Sequence, residues 1–173
     1  MQLARPSRLH NRVSRFGLCL VLSVGGGLAV GCPSEDNAGR FTANADGTIT
    51  DGKTGPTWKR CSEGQSWDGT TCAGAASRHS WREAMALGDA SDPVSEERWR
   101  LPKLQELASI IDKACARPAI DPSVFPATPA AVFWSSSVDG DNDDYAWYIR
   151  FRDGHASKGH KYGGAHVRLV RGG

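Results

Sequence analysis

Apolar residues first form a long run, then recur at helical spacing, then alternate. The run spans Phe16 to Val30. Trp81, Ala84, Met85 and Gly88 then fall at helical intervals behind Ser80-Trp81-Arg82-Glu83, a Ser-x-x-Glu capping box, which predicts a first helix. Leu104, Leu107, Ala108 and Ile111 form one stripe at i, i+3, i+4 and i+7, and Pro102 can occupy a first-turn position. That predicts a second helix ending between Asp112 and Ala116, because Arg117-Pro118 and Asp121-Pro122 forbid its continuation. Turn clusters around Thr48-Ile49-Thr50, followed by Pro56 to Lys59, predict an opening hairpin. Val132 to Ser137 reads as a strand. Tyr145 to Arg152 alternates, with Tyr145, Trp147, Ile149 and Phe151 on one face and Ala146, Tyr148, Arg150 and Arg152 on the other. Asp153-Gly154 is a turn of hairpin type, and His166 to Val170 is a last strand with Val167 and Leu169 inward and Arg168 outward.

The apolar run follows Arg5, Arg8, Arg12 and Arg15, so residues 1–31 read as a secretion signal, too short and too rich in glycine at Gly25 to Gly27 for a membrane helix. Leu28-Ala29-Val30-Gly31-Cys32 resembles a bacterial lipobox, which implies a lipid on Cys32 and an outer-membrane anchor. An ordinary secretory peptide cut near the same place is the alternative. Residues 32–39 then form a flexible tether and residues 40–173 the domain. Without the four leader arginines the 21 basic residues fall to 17 against 19 acidic ones, so the basic balance gives no case for a nucleic-acid partner. Once Cys19 and Cys32 are assigned to the leader and the lipid, Cys61, Cys72 and Cys115 remain. Cys61 with Cys72 closes a short loop, and Cys115 is an alternative partner for either.

Several motifs stand in a fixed order: Asp46-Gly47-Thr48-Ile49-Thr50-Asp51, Cys61-Ser62-Glu63-Gly64-Gln65, Trp67-Asp68-Gly69, Trp99-Arg100-Leu101-Pro102, Pro118-Ala119-Ile120-Asp121, Phe133-Trp134-Ser135-Ser136-Ser137 and Val167-Arg168-Leu169-Val170-Arg171. Together they resemble the Lcl C-terminal domain family over residues 40 to 171. The resemblance implies an α+β fold of C-type lectin-like form, with two helices packed on a twisted antiparallel sheet. It also implies an adhesin-like binding module, since the collagen-like adhesin that gives the family its name binds sulfated glycosaminoglycans. A structural or protein-interaction domain of the cell envelope is the alternative.

No enzyme is expected. Ser135, Ser136 and Ser137 lack a nucleophile elbow or a His-Asp pair, and their hydroxyls are expected to bond a neighbouring loop. A likeness to sulfatase-modifying enzymes founders on the need for two adjacent reactive cysteines. Trp99 and Trp134 are expected to pack, and Arg100 to fix a helix start. Tyr148, Arg150, Arg152, Lys158, His160, Lys161 and Arg168 are the candidate anion-binding surface, because guanidinium groups engage sulfate or carboxylate in pairs while tyrosine stacks on a sugar face. The competing reading pairs these cations with the acidic run 139–144. No cofactor is expected, although Asp139, Asp141 and Asp143 place oxygens at alternate positions, as calcium prefers.

Overall fold

The computed structural model describes Cys32 and residues 37–88 and 98–173. The secretion signal, the lipobox residues before Cys32 and residues 33–36 of the tether lie outside the described residues. Among the described residues the elements are β1 (Phe41–Ala43), β2 (Thr48–Asp51), β3 (Thr57–Lys59), β4 (Ser66–Trp67), β5 (Cys72–Ala73), α1 (Trp81–Ala86), α2 (Leu104–Ser109), β6 (Val132–Val138), β7 (Tyr145–Arg150), β8 (His155–His160) and β9 (Val170–Arg171). One antiparallel sheet has the order β1-β2-β3-β9, a second β6-β7-β8, and β4 with β5 forms a separate pair. The chain is a small, mostly β protein with two short helices.

Local chemistry explains most boundaries. Gly47 takes a φ of +78°, and a Cβ there would lie 2.6 Å from the Trp67 ring, so the β1–β2 turn admits Trp67 only because this residue is glycine. The capping box forms at α1: Glu83 accepts the Ser80 N–H at 2.8 Å, and the Ser80 hydroxyl accepts the Glu83 N–H at 3.3 Å. Helix α2 starts after Pro102, and its Leu104 N–H is capped by the Ser137 hydroxyl of β6 at 3.0 Å. It ends at Ser109, earlier than the apolar stripe predicts. Asp112 turns its carboxylate onto the Ala114 N–H and accepts from Asn37, and such local bonds compete with the helix.

Phe133, Ile149 and Phe151 enter one core with Trp58, Leu107, Ile120 and Phe125. Trp134 and Ala146 enter another with Ala84, Leu101, Val167 and Leu169, and Tyr148 packs against it. The sheet β6-β7-β8 is therefore covered on both faces, and the Tyr148 side of β7 is not the open face that alternation alone predicts. Strand β8, His155-Ala156-Ser157-Lys158-Gly159-His160, is mostly exposed and carries no apolar alternation that would mark it. The last strand is shorter than predicted. His166 and Val170 make bridges to Phe133 and Arg100, and the residues between them leave the ladder while Val167 and Leu169 still point inward.

Two disulfides join the described cysteines. Cys61 bonds Cys72, closing the short loop. Cys32 bonds Cys115 across 83 residues of sequence. Cys32 is also the residue expected to carry the lipid, and its one sulfur can enter this disulfide or a thioether but not both. The pairing leaves Cys115 no bond to Cys61 or Cys72.

Candidate functional site

The seven residues of the expected anion surface do not share a face. Directly paired residues of antiparallel strands lie on the same side of a sheet. Trp147 pairs with Lys158, Tyr148 with Ser157 and Arg150 with His155, so Lys158 lies on the side opposite Tyr148 and Arg150. Lys158 donates to Asp139 at 2.6 Å, lies 3.9 Å from Asp141 and sits over the Trp147 ring at 5.0 Å. Its bond is the chief cause of the lowered carboxyl pKa of Asp139. Lys161 donates to the Asp143 carbonyl at 2.6 Å and stands over Trp81. Arg150 grips Asp153 through Nε and Nη2, at 2.9 and 2.7 Å, and holds that carboxyl well below the ordinary range. His160 lies between the rings of Tyr145 and Tyr162. Tyr148 meets Trp134 edge to face.

Arg168 departs furthest from expectation, being wholly buried instead of outward. Its guanidinium donates to the carbonyls of Lys59 and Arg60 and to the hydroxyls of Ser62 and Thr128. It cannot meet a ligand. The calcium expectation does not fit either, because Asp139 is committed to Lys158 and to the Asp141 N–H, and no group of three ligand-type residues is close enough among the described residues. Ser135 donates to the Trp147 carbonyl, and Ser136 to Pro102, so these hydroxyls do structural work. Arg100 clamps Glu106 with two bonds of 2.8 and 2.7 Å, while Glu106 also accepts the Lys103 N–H, which fixes the start of α2.

Of the expected residues, Arg152 alone lies where unpaired charge gathers. The loop after α2 and the β7–β8 turn enclose a cleft of about 410 Å³ lined by Lys113, Arg117, Arg152, Asp153, Gly154 and His155. The side chains of Lys113, Arg117 and Arg152 have no hydrogen-bond or ion-pair partner among the described residues. The acid at the cleft, Asp153, is already taken by Arg150 and by His155 at 3.2 Å. Three cations therefore face one opening without compensation.

The framework around them is fixed. The Ala119 N–H bonds the Phe151 carbonyl at 2.6 Å, the Asp112 N–H bonds the Ala119 carbonyl, and Cys115 is tied to Cys32. Gly154 closes the turn at φ +75°, where a Cβ would lie 2.8 Å from Ile111. A neighbouring cleft of about 490 Å³ shares Lys113 and Gly154 and adds Lys53 and Arg40. Lys53 has a free ammonium among the described residues, whereas Arg40 is held by Asp51. The two clefts form a groove that can take an extended anion.

Sequence reasoning missed Lys113 and Arg117 because it sought cations on a strand face. Their signal was a Lys-x-x-x-Arg pair around Cys115 in a loop stopped by Pro118.

The family model of the Lcl C-terminal domain matches residues 47–171. No curated protein matches the chain, and no solved structure matches it.

Proposed function

The chain belongs to the Lcl C-terminal domain family, and from that premise we propose that it is an adhesin-related binding domain that holds an anionic saccharide in the Lys113–Arg117–Arg152 cleft. The observation that carries this reading is the convergence of three cations with no partner of their own among the described residues. A cation already paired must lose that partner before it takes a ligand, whereas these need only shed water. Guanidinium groups suit sulfate and carboxylate because both can be bonded through two N–H groups at once.

Two disulfides favour a site of action outside the cytoplasm, where cysteines stay oxidised. This supports the export reading of residues 1–31. The sheet β1-β2-β3-β9 joins an early and a late part of the chain, as C-type lectin-like domains do, and supports that finer fold reading. The structural bonds of the Ser135, Ser136 and Ser137 hydroxyls support binding over a serine-based reaction.

Heparin chromatography of the oxidised chain tests the proposal. Retention that weakens with salt is expected. The double substitution Arg117→Ala, Arg152→Ala should lower affinity about tenfold, a loss of ~1.4 kcal/mol. Arg150→Ala should lower affinity by a smaller factor, through the Asp153 carboxylate that it leaves unpaired in the cleft. A chain that passes through the column at low salt would refute the reading and leave an envelope interaction domain without a glycan ligand.

A further inference from the structure

A second cleft, sharing no lining residue with the basic groove, lies between two tryptophans. It has a volume of about 300 Å³ and is lined by Asp46, Lys59, Gln65, Trp67, Trp99 and Arg171, among others. Small-molecule sites combine aromatic walls with a few placed polar groups, and this cleft has both.

The polar groups differ in what they have left to offer. One Asp46 oxygen accepts the Thr48 N–H at 3.1 Å and the Thr48 hydroxyl at 2.6 Å, while the other has no partner among the described residues. The indole N–H groups of Trp67 and Trp99 donate to nothing among the described residues. Gln65 is spent on structure, bonding the Ser62 N–H and the Ala127 carbonyl. Lys59 is balanced by Glu63 at 3.1 Å. Arg171 lies near enough to Asp46 to help keep that carboxyl ionised, behind the larger effect of the Thr48 hydroxyl. Charges here are thus largely matched, in contrast to the basic groove. Lys59 and Arg171 lie against the Trp99 ring at 5.4 and 4.9 Å, and Arg60 against Trp67 at 4.2 Å, which stiffens both walls.

We propose that the Trp67–Trp99 cleft is a separate site for one ring of an uncharged sugar. A pyranose has apolar C–H faces for indole walls and hydroxyls that both donate and accept. An ionised carboxylate oxygen accepts hydrogen bonds from hydroxyl groups, and indole N–H groups donate to hydroxyl oxygens. A sulfated or carboxylated ring would bring a second anion beside Asp46, so the uncharged ring fits better. The site is independent of anion binding in the basic groove.

Nuclear magnetic resonance on the oxidised full chain tests this, with the methyl glycosides of glucose, galactose, mannose and N-acetylglucosamine as probes at about 10 mM, a range suited to single-sugar affinities. At least one glycoside should shift the indole N–H signals of Trp67 and Trp99, assigned through Trp67→Phe and Trp99→Phe. Asp46→Asn should weaken that sugar's affinity about tenfold while keeping the Thr48 bond, because the amide oxygen still accepts. Unchanged backbone amide signals elsewhere would show that this variant is folded. Arg117→Ala with Arg152→Ala should leave the sugar response as it is. If none of the four glycosides moves either indole signal, or if Asp46→Asn binds as well as the parent, the proposal is overturned.

Discussion

The guanidinium of Arg168 is enclosed and, among the described residues, has no carboxylate partner and an Nε that finds no acceptor. Burial pushes it down to about 9. What holds it is a ring of neutral acceptors, the carbonyls of Lys59 and Arg60 and the hydroxyls of Ser62 and Thr128, with the Phe125 ring at 4.8 Å. Such a group costs stability to bury, yet losing it would strand the carbonyls it satisfies. Asp51 is the opposite case. Desolvation would raise its pKa, but the Arg40 guanidinium at 2.5 Å, the Thr54 hydroxyl and the Lys53 N–H outweigh burial and bring it to about 2. A carboxyl depressed from 3.8 to about 2 binds its proton less readily when folded, so its stabilisation is full above pH 3.8 and is lost as pH falls toward 2. That amounts to about 2 kcal/mol. Urea denaturation at a series of pH values should therefore show the parent losing its advantage over Asp51→Asn across that interval. A constant gap between the two proteins from pH 5 to about 2 would contradict the assignment.

Helix α2 depends on an element far from it in sequence. Its first N–H groups need acceptors, and the residue before the helix, Lys103, offers none from its side chain. The Ser137 hydroxyl of β6 caps Leu104, and the Glu106 carboxylate, held by Arg100, accepts the Lys103 N–H. Ser137→Ala should cost about 1 kcal/mol in thermal or urea unfolding, while Ser157→Ala on exposed β8 should cost little. Equal losses would remove the capping role. The same elements show how far the sequence could be read. The capping box of α1, the apolar stripe of α2 and the alternation of β7 are local signals, and each element begins where its signal stands, although α2 stops at Ser109 and β7 at Arg150, short of the signal's end. Strand β8 is held by pairing with β7, so its own residues show no period. The facing of β7 was also not local. Ala146 is buried and Tyr148 half-buried because Ala84, Leu101 and Val167 lie against that face. The basic groove was the least legible feature, since it gathers Arg152 from one side of a hairpin turn and Lys113 and Arg117 from a loop about forty residues earlier.

At the scale of the whole molecule, Cys32–Cys115 ties the start of the described chain to the loop that carries Lys113 and Arg117. The Asn37–Asp112 bond of 2.8 Å and the Arg40 bond to the Ser109 carbonyl at 2.8 Å run alongside it, so the N-terminal segment straps the end of α2. Closing so long a loop restricts the unfolded chain by about 4.5 kcal/mol in the entropy picture, and in the folded state the strap keeps two of the three groove cations in place. Cys115→Ser should accordingly lower stability by up to that amount and elute earlier from heparin, whereas Cys61→Ser with Cys72→Ser should lower stability with a smaller effect on heparin. The fate of Cys32 decides between cross-link and lipid, because its one sulfur can enter a disulfide or a thioether and not both. Peptide mass analysis of the chain recovered from a bacterial envelope without reduction should yield a Cys32–Cys115 cross-linked peptide. A diacylglyceryl mass on Cys32 beside a free Cys115 thiol would show that the strap is absent in the mature protein, and the groove would then have to keep its cations in place without it.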